Sequence, residues 1–192
     1  MNAPPKLRFT IEQYHQMGEA GILDPLVRTE LLRGDIVTMA AKGTPHEVCL
    51  TRLNKFFVVS VGNQAIVRVQ SPILLPPDSE PEPDFTIVRL RSDEYTGSHP
   101  APEDILLLIE VSNSSLGIDR GLKLGLYAEY GIENYWIFNV QENQLECYAS
   151  PVRFANSHGG GEYQERKVFS KTDSVDVPML PGVRLDLVQI FR

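Results

Sequence analysis

The chain has 192 residues, of which 42% are hydrophobic and 22% charged. That is the profile of one globular domain long enough to bury a sizeable core. A formal net charge of -7 and a pI near 5.1 count against a surface that grips nucleic acid broadly, and suit a site that collects divalent cations. Cys49 and Cys147 make no disulfide framework and sit at no metal-ligand spacing, so they read as small buried or half-buried residues of a reducing compartment. With no apolar signal core and no stretch of membrane-span length, the expectation is a soluble cytoplasmic protein.

Residues 1–9 form a polar, proline-containing lead, expected to be loosely held. Thr10 is placed to cap a helix, with Gln13 where a capping box needs it. Ile11, Tyr14 and Met17 line one face of that helix, and Gly21 is a plausible stop. Apolar residues then flank Arg33-Gly34-Asp35, so 30–37 reads as a hairpin, with Glu30 a solvated strand residue on local grounds. In Thr44-Pro45-His46-Glu47 a helix starts, with Thr44 as cap, Pro45 at the first position and Glu47 returning a bond. Leu50, Leu53, Phe57 and Val61 take its buried side as it runs towards Gly62. Glu47 thus has a structural explanation. His46 does not: it is either an ordinary half-exposed residue or a site group, and a helix N-terminus favours its neutral form.

Residues 65–75 read as a strand or a bent pair of strands, and the acidic, proline-rich run 76–83 as a turn. Asp84 leads into a β-branched strand at 85–88, followed by an exposed loop to Asp104. The run Ile105-Leu106-Leu107-Leu108-Ile109 lacks a wet face, so it reads as a central strand covered on both sides. It ends on Glu110. Either that carboxylate has reached solvent, or it is buried and needs a metal ion or Lys123 beside it. After Ser112-Asn113-Ser114-Ser115, Asp119 is expected to open a helix carrying Lys123 and stopping at Gly131, before a strand at 135–138. Strands at 144–149 and 163–169 follow, joined through Gly159-Gly160-Gly161, read as a flexible connection and not a phosphate cradle. Pro181-Gly182 turns into a short helical piece at 186–191. No repeat or linker divides the chain, so 1–192 reads as a single domain.

Two carboxylates, Asp84 at one strand's start and Glu110 at another's end, could hold a hard cation such as magnesium and leave water positions open. The ion would polarise a phosphodiester oxygen and make a water a better nucleophile. Lys123 could orient that water or neutralise charge building on the phosphate. The alternative for Lys123 is a surface pair with Asp119, worth a few tenths of a kcal/mol, roughly.

Glu30-Leu31 with Gly34, Met39 with His46, Pro83-Asp84, Glu110-Val111-Ser112, Asp119 with Lys123 and Tyr127, Gly131, and Tyr135-Trp136 occur in an order and spacing that resembles the Uma family of restriction-endonuclease-like proteins. That family lies within the PD-(D/E)XK nuclease superfamily. The resemblance spans roughly residues 10–190. It implies an α/β, restriction-endonuclease-like core with a mixed β-sheet flanked by helices. It also implies a metal-dependent endonuclease acting on DNA, with Mg2+ as cofactor and Mn2+ as a substitute. By analogy Asp84, Glu110 and the carbonyl of Val111 are the metal ligands. The superfamily's lysine would fall at Ser112, and in this family it has moved to the following helix, at Lys123. Glu30 and His46 match family positions as assisting groups. Asn134 and Asn139 depart from the family's usual Glu and Asp. A nuclease that cuts both strands suggests a homodimer. The alternative is a catalytically inactive nuclease fold that binds nucleic acid or a protein partner; a hydrolase of another phosphoester is a third option.

Overall fold

The structure, a computed structural model, describes residues 6–39, 41–155 and 159–191. In chain order the main elements are α1 (Ile11–Glu19), β1 (Thr29–Leu32), β2 (Asp35–Thr38), α2 (Thr44–Val61), β3 (Ile66–Val69), β4 (Phe85–Val88), β5 (Ile105–Ser112), a composite helix α3 (116–129), β6 (Asn134–Asn139), β7 (Gln144–Arg153), β8 (Gly161–Ser170), β9 (Ser174–Asp176) and β10 (Arg184–Asp186). Of the expected N-terminal lead, residues 1–5 lie outside the described residues. Phe9 N–H donates to the Gly34 carbonyl at 2.9 Å, which ties the rest to the β1–β2 turn.

β5 is central because nothing in it can face water: all eight of its residues are buried. It sits in a six-stranded sheet of order β3-β4-β5-β6-β7-β8. It pairs antiparallel with β4 and parallel with β6, and α3 makes the crossover that a parallel pair requires. The twofold alternation of a strand divides its side chains between two cores. Leu107, Ile109 and Val111 pack against α2 and the C-terminal β9–β10 ribbon. Leu108 packs on the opposite face, against α3 and the β1–β2 hairpin. Glu110 shares that second face with Leu108, so the carboxylate points towards α3.

The local signals at the N-terminus produce the expected structure. The Thr10–Gln13 capping box is formed, and Ile11, Tyr14 and Met17 are the half-buried face of α1. The hairpin turns on Arg33 and Gly34, both at positive φ (51° and 76°), as a two-residue turn matched to strand twist demands.

Four expectations need correction. The cap of α2 is Gly43 and not Thr44, because Thr44 is already helical and Glu47 N–H bonds to the Gly43 carbonyl instead. α3 begins at Leu116, not Asp119, and contains a π-turn, Asp119–Lys123, between α-segments Leu116–Ile118 and Leu124–Glu129. The glycine connection is not loose throughout. A Cβ on Gly161 would lie 2.6 Å from Glu129 N and 2.8 Å from Ala128 C, so the glycine lets β8 start against the end of α3. The C-terminal helical piece shrinks to a 3-10 turn, Leu187–Gln189, behind the short β9–β10 ribbon. Among the described residues no helix is long and apolar enough to cross a membrane.

Candidate active site

Antiparallel pairing of Phe85 with Ile109 brings Asp84, just before β4, alongside Glu110 near the end of β5. The register is visible in two bonds. Val111 N–H donates to Asp84 Oδ2 at 2.9 Å, and Asp84 N–H reaches Glu110 Oε2 at 3.4 Å. His46 and Gln70 complete the surroundings of Asp84. His46 Nε2 lies 3.0 Å from Oδ2, and the Gln70 amide donates to Oδ1 at 2.9 Å.

On the α3 side, Lys123 Nζ donates to Glu110 Oε1 at 3.0 Å and lies 3.1 Å from Glu30 Oε2. Tyr127, one turn further along, donates to the same Glu110 oxygen at 2.9 Å. Glu30 is held in turn by the Glu82 N–H at 3.2 Å. Lys123 is 5% exposed, so the surface pair with Asp119 does not form. Asp119 itself is buried, and its Oδ2 accepts both the Ser112 and the Ser115 hydroxyls at 2.6 Å. These bonds close the β5–α3 connection over the end of the strand. The Tyr135 hydroxyl donates to the Asp119 backbone carbonyl at 3.1 Å, inside the π-turn, where widened spacing leaves backbone groups in need of partners.

Glu30, His46, Asp84, Glu110, Val111 and Lys123 therefore all lie on the wall of one cavity of about 190 Å³. Two of them depart from their local reading. Glu30 is buried and not solvated, because the hairpin folds over Lys123. His46 is 8% exposed rather than half-exposed, in the same helical stripe as Cys49, Leu53 and Phe57.

The electrostatics follow from burial and count. Burial pushes Glu110 up, against the pull of the Lys123 ammonium and with the push of Asp119, Asp84 and Glu30, to about 8. Burial also pushes Asp84 up, but the hydrogen bond and charge of His46, then Gln70 and the Val111 N–H, outweigh it and hold its carboxyl below its ordinary range. For Lys123 burial acts downward, and Glu110, Glu30 and Asp119 together raise it well above an ordinary lysine. It is an ammonium at every working pH. It can donate hydrogen bonds and offset negative charge, but it cannot take a proton from water.

The contributions of Asp119, Gln70 and Tyr127 to the site escaped the sequence reading. Asp119, Lys123 and Tyr127 are spaced at four residues, a signal for one helical face. Nothing local marks Gln70.

A mixed sheet between helical layers, with acidic residues meeting where two neighbouring strands end, is the architecture of a nuclease-fold α/β protein. The coordinates are similar to the crystal structure of a protein described as a putative nuclease belonging to DUF820, from Anabaena variabilis. The TM-score is 0.71 at 14% sequence identity, covering 95% of this chain and 97% of that one. The chain belongs to the Uma2 family, described as putative restriction endonuclease, which it matches over residues 11–188. No curated protein matches it.

Proposed function

We propose that this protein is a magnesium-dependent endonuclease that hydrolyses DNA phosphodiester bonds. One observation carries the reading: Glu30, His46, Glu110 and Lys123, from four separate elements, and Asp84, just before a fifth, surround a single cavity. Membership of a family described as putative restriction endonuclease supports a nucleic acid as the substrate class.

The side chains suit a divalent ion. Five carboxylates, Glu30, Glu82, Asp84, Glu110 and Asp119, line the cavity against two lysines, Lys42 and Lys123. Among the described residues no three His, Cys, Asp or Glu side chains form a ready-made metal cage. That favours magnesium, which binds through one or two carboxylates and keeps much of its water, over an ion that needs a full protein ligand set. Asp84 and Glu110 would hold it, with the Val111 carbonyl as a further oxygen, and manganese would substitute. When bound, the ion supplies Lewis-acid polarisation of the phosphodiester and lowers the cost of making water nucleophilic.

The chain's own residues do the rest. Gln70 and the Val111 N–H fix the Asp84 carboxylate against the strand end. His46 holds its other side. Tyr127 and Lys123 hold one Glu110 oxygen and leave the second facing Asp84. The Lys123 ammonium, anchored by Glu30, stands ready to offset the charge that builds on phosphate in the transition state.

Plasmid cleavage with magnesium tests this. Wild type should nick or linearise DNA, and Asp84→Ala and Lys123→Ala should each lose roughly a hundredfold or more of the rate. Equal cleavage by all three removes the assignment.

A second reading, a catalytically inactive fold that binds nucleic acid or a protein partner, is favoured by the same Lys123 clamp, which already neutralises part of the acidic cluster. Calorimetry separates the two: a folded protein that takes up neither magnesium nor manganese at millimolar concentration supports the binder. Cleavage of both strands would be served by a homodimer, and a monomer by light scattering would exclude that arrangement.

A further inference from the structure

The six-stranded sheet ends on β8, with no described strand beyond it. We infer that the outer edge of β8 is a homodimer surface, to which a second copy of the chain adds its own β8 antiparallel, with Arg166 at the two-fold axis. The inference gives a surface to the homodimer that would serve double-strand cleavage; it rests on the nuclease reading for its use but not for its geometry.

The two edges of the sheet differ. β3 has four residues, all half-buried. β8 has ten, and Gln164 to Val168 are exposed in an unbroken run. Its inner side is paired with β7 along the whole strand. Among the described residues the backbone of 162–169 bonds to nothing else, so its outward N–H and C=O groups are open. Such an edge takes another strand unless its side chains forbid it, as proline or repelling charges do. The stretch 162–170 has no proline, and its charges are of both signs.

Charge complementarity selects a second copy as the occupant. A strand that pairs with its own copy about an axis normal to the sheet must match face with face, so one residue has to sit on the axis. With Glu165 there, glutamate meets glutamate, and with Lys167 there, lysine meets lysine. With Arg166 there, each Glu165 faces the partner's Lys167. Directly opposed unlike charges stabilise a strand pair, and like charges destabilise it. Glu165 and Lys167 are exposed on one face, opposite Ala149 and Cys147 of β7, and neither makes an ion pair among the described residues. Arg166 does not meet its copy as a bare charge, because its Nη2 lies 3.1 Å from the wholly buried carboxylate of Glu146 in its own chain. Val168, 45% exposed, falls opposite Gln164 in this register and is covered by the pairing. An axis normal to the sheet also keeps the faces of the two copies together. Both would present the face that carries Glu110 on the same side, towards one duplex.

Sedimentation velocity of the whole chain over a concentration series tests the surface, at low salt where exposed charges are least screened. Wild type should pass from monomer to dimer. Glu165→Lys sets lysine against lysine at both places, and Lys167→Glu sets glutamate against glutamate. Each should weaken the dimer about tenfold or more. The double variant Glu165→Lys/Lys167→Glu restores the unlike pairs in reverse and should recover wild-type association. Both positions are exposed, so melting temperatures of the dilute proteins should stay close to wild type. A dimer of equal strength in all four proteins, or a double variant as weak as the singles, would overturn the β8 pairing and leave a homodimer standing. A wild type that stays monomeric throughout removes both, and plasmid cleavage by that monomer would still uphold the nuclease reading.

Discussion

The Lys123 ammonium lies 3.0 Å from Glu110 Oε1 and 3.1 Å from Glu30 Oε2, and it is the bolt between the helical crossover and the sheet. Removing it leaves Glu30 and Glu110 buried without a cation, so each must be held as an uncompensated charge or take up a proton to stay buried. Breaking a buried pair from one side costs roughly 3–5 kcal/mol where the remaining group stays ionised, and less where it is protonated. Lys123→Met should therefore unfold at lower urea concentration than wild type, with the larger loss above about pH 8, where Glu110 is charged in the wild-type fold. Glu110→Gln in the same background should recover part of the loss, since it removes one of the two groups that lost their cation. A double variant less stable than Lys123→Met would mean that Glu110 carries no charge problem to relieve.

The position of Glu110 also sets a pH dependence. Its folded pKa, raised by burial to about 8, lies above its ordinary value of 4.5. Between those values the folded state holds a proton that the unfolded state has lost, so stability falls as pH rises. The contribution is fully present below about 4.5 and is gone above about 8. In EDTA, the urea-unfolding free energy of wild type should drop across that window, and that of Glu110→Gln should drop less. Parallel curves for the two proteins would show that Glu110 titrates as an ordinary carboxylate in the fold.

Much of this arrangement can be read from residue pattern. The unrelieved apolar run of β5 announces a strand covered on both faces, and once it is central the next residue, Glu110, has to be partnered. The buried side of α2 is legible at Leu53, Phe57 and Val61, but its first turn is not: Cys49 and His46 continue the stripe, where the pattern offers Leu50 and leaves His46 open. Other parts depend on contacts that a local reading cannot see. Asp119 resembles a helix cap, yet its carboxylate serves Ser112 and Ser115 and the helix has already begun. The π-turn is held by the Tyr135 hydroxyl from the neighbouring strand, so no signal within 116–129 predicts it. Glu30 looks solvated because the side chain that buries it arrives 93 residues later in the numbering. The strands of the C-terminal ribbon span three residues each, too few for a period to show.

Two glycines should respond to alanine in opposite senses. At Gly161 the added Cβ meets backbone atoms of Ala128, Glu129 and Val152 at 2.6–2.8 Å, and backbone cannot rotate away. Gly161→Ala should destabilise the fold by roughly 1–3 kcal/mol as α3 and β8 are pushed apart. At Gly121, exposed in the π-turn, nothing lies within 4 Å of the new Cβ. Gly121→Ala should stabilise by about 0.5–1 kcal/mol through reduced freedom of the unfolded chain. Thermal melts of the two proteins check both signs, and a loss at Gly121 would show that the π-turn depends on glycine's own backbone freedom.

Glu30 acts on Glu110 from across the ammonium. Its charge raises Glu110 directly, and it also draws on the Lys123 hydrogen bonds that would otherwise favour the Glu110 carboxylate. Glu30→Gln removes both effects, and both push in the same direction. The Glu110 titration, followed by carboxyl carbon NMR in metal-free protein, should therefore move down from about 8. A lower midpoint means less competition from protons, so calorimetric magnesium binding should set in at lower pH in the variant than in wild type. If cleavage nevertheless falls in Glu30→Gln, Glu30 is needed to aim the ammonium rather than to tune the acid. A midpoint that stays put or rises would mean that the hairpin carboxylate is not coupled to the strand-end acid, and that the bolt closes on one side only.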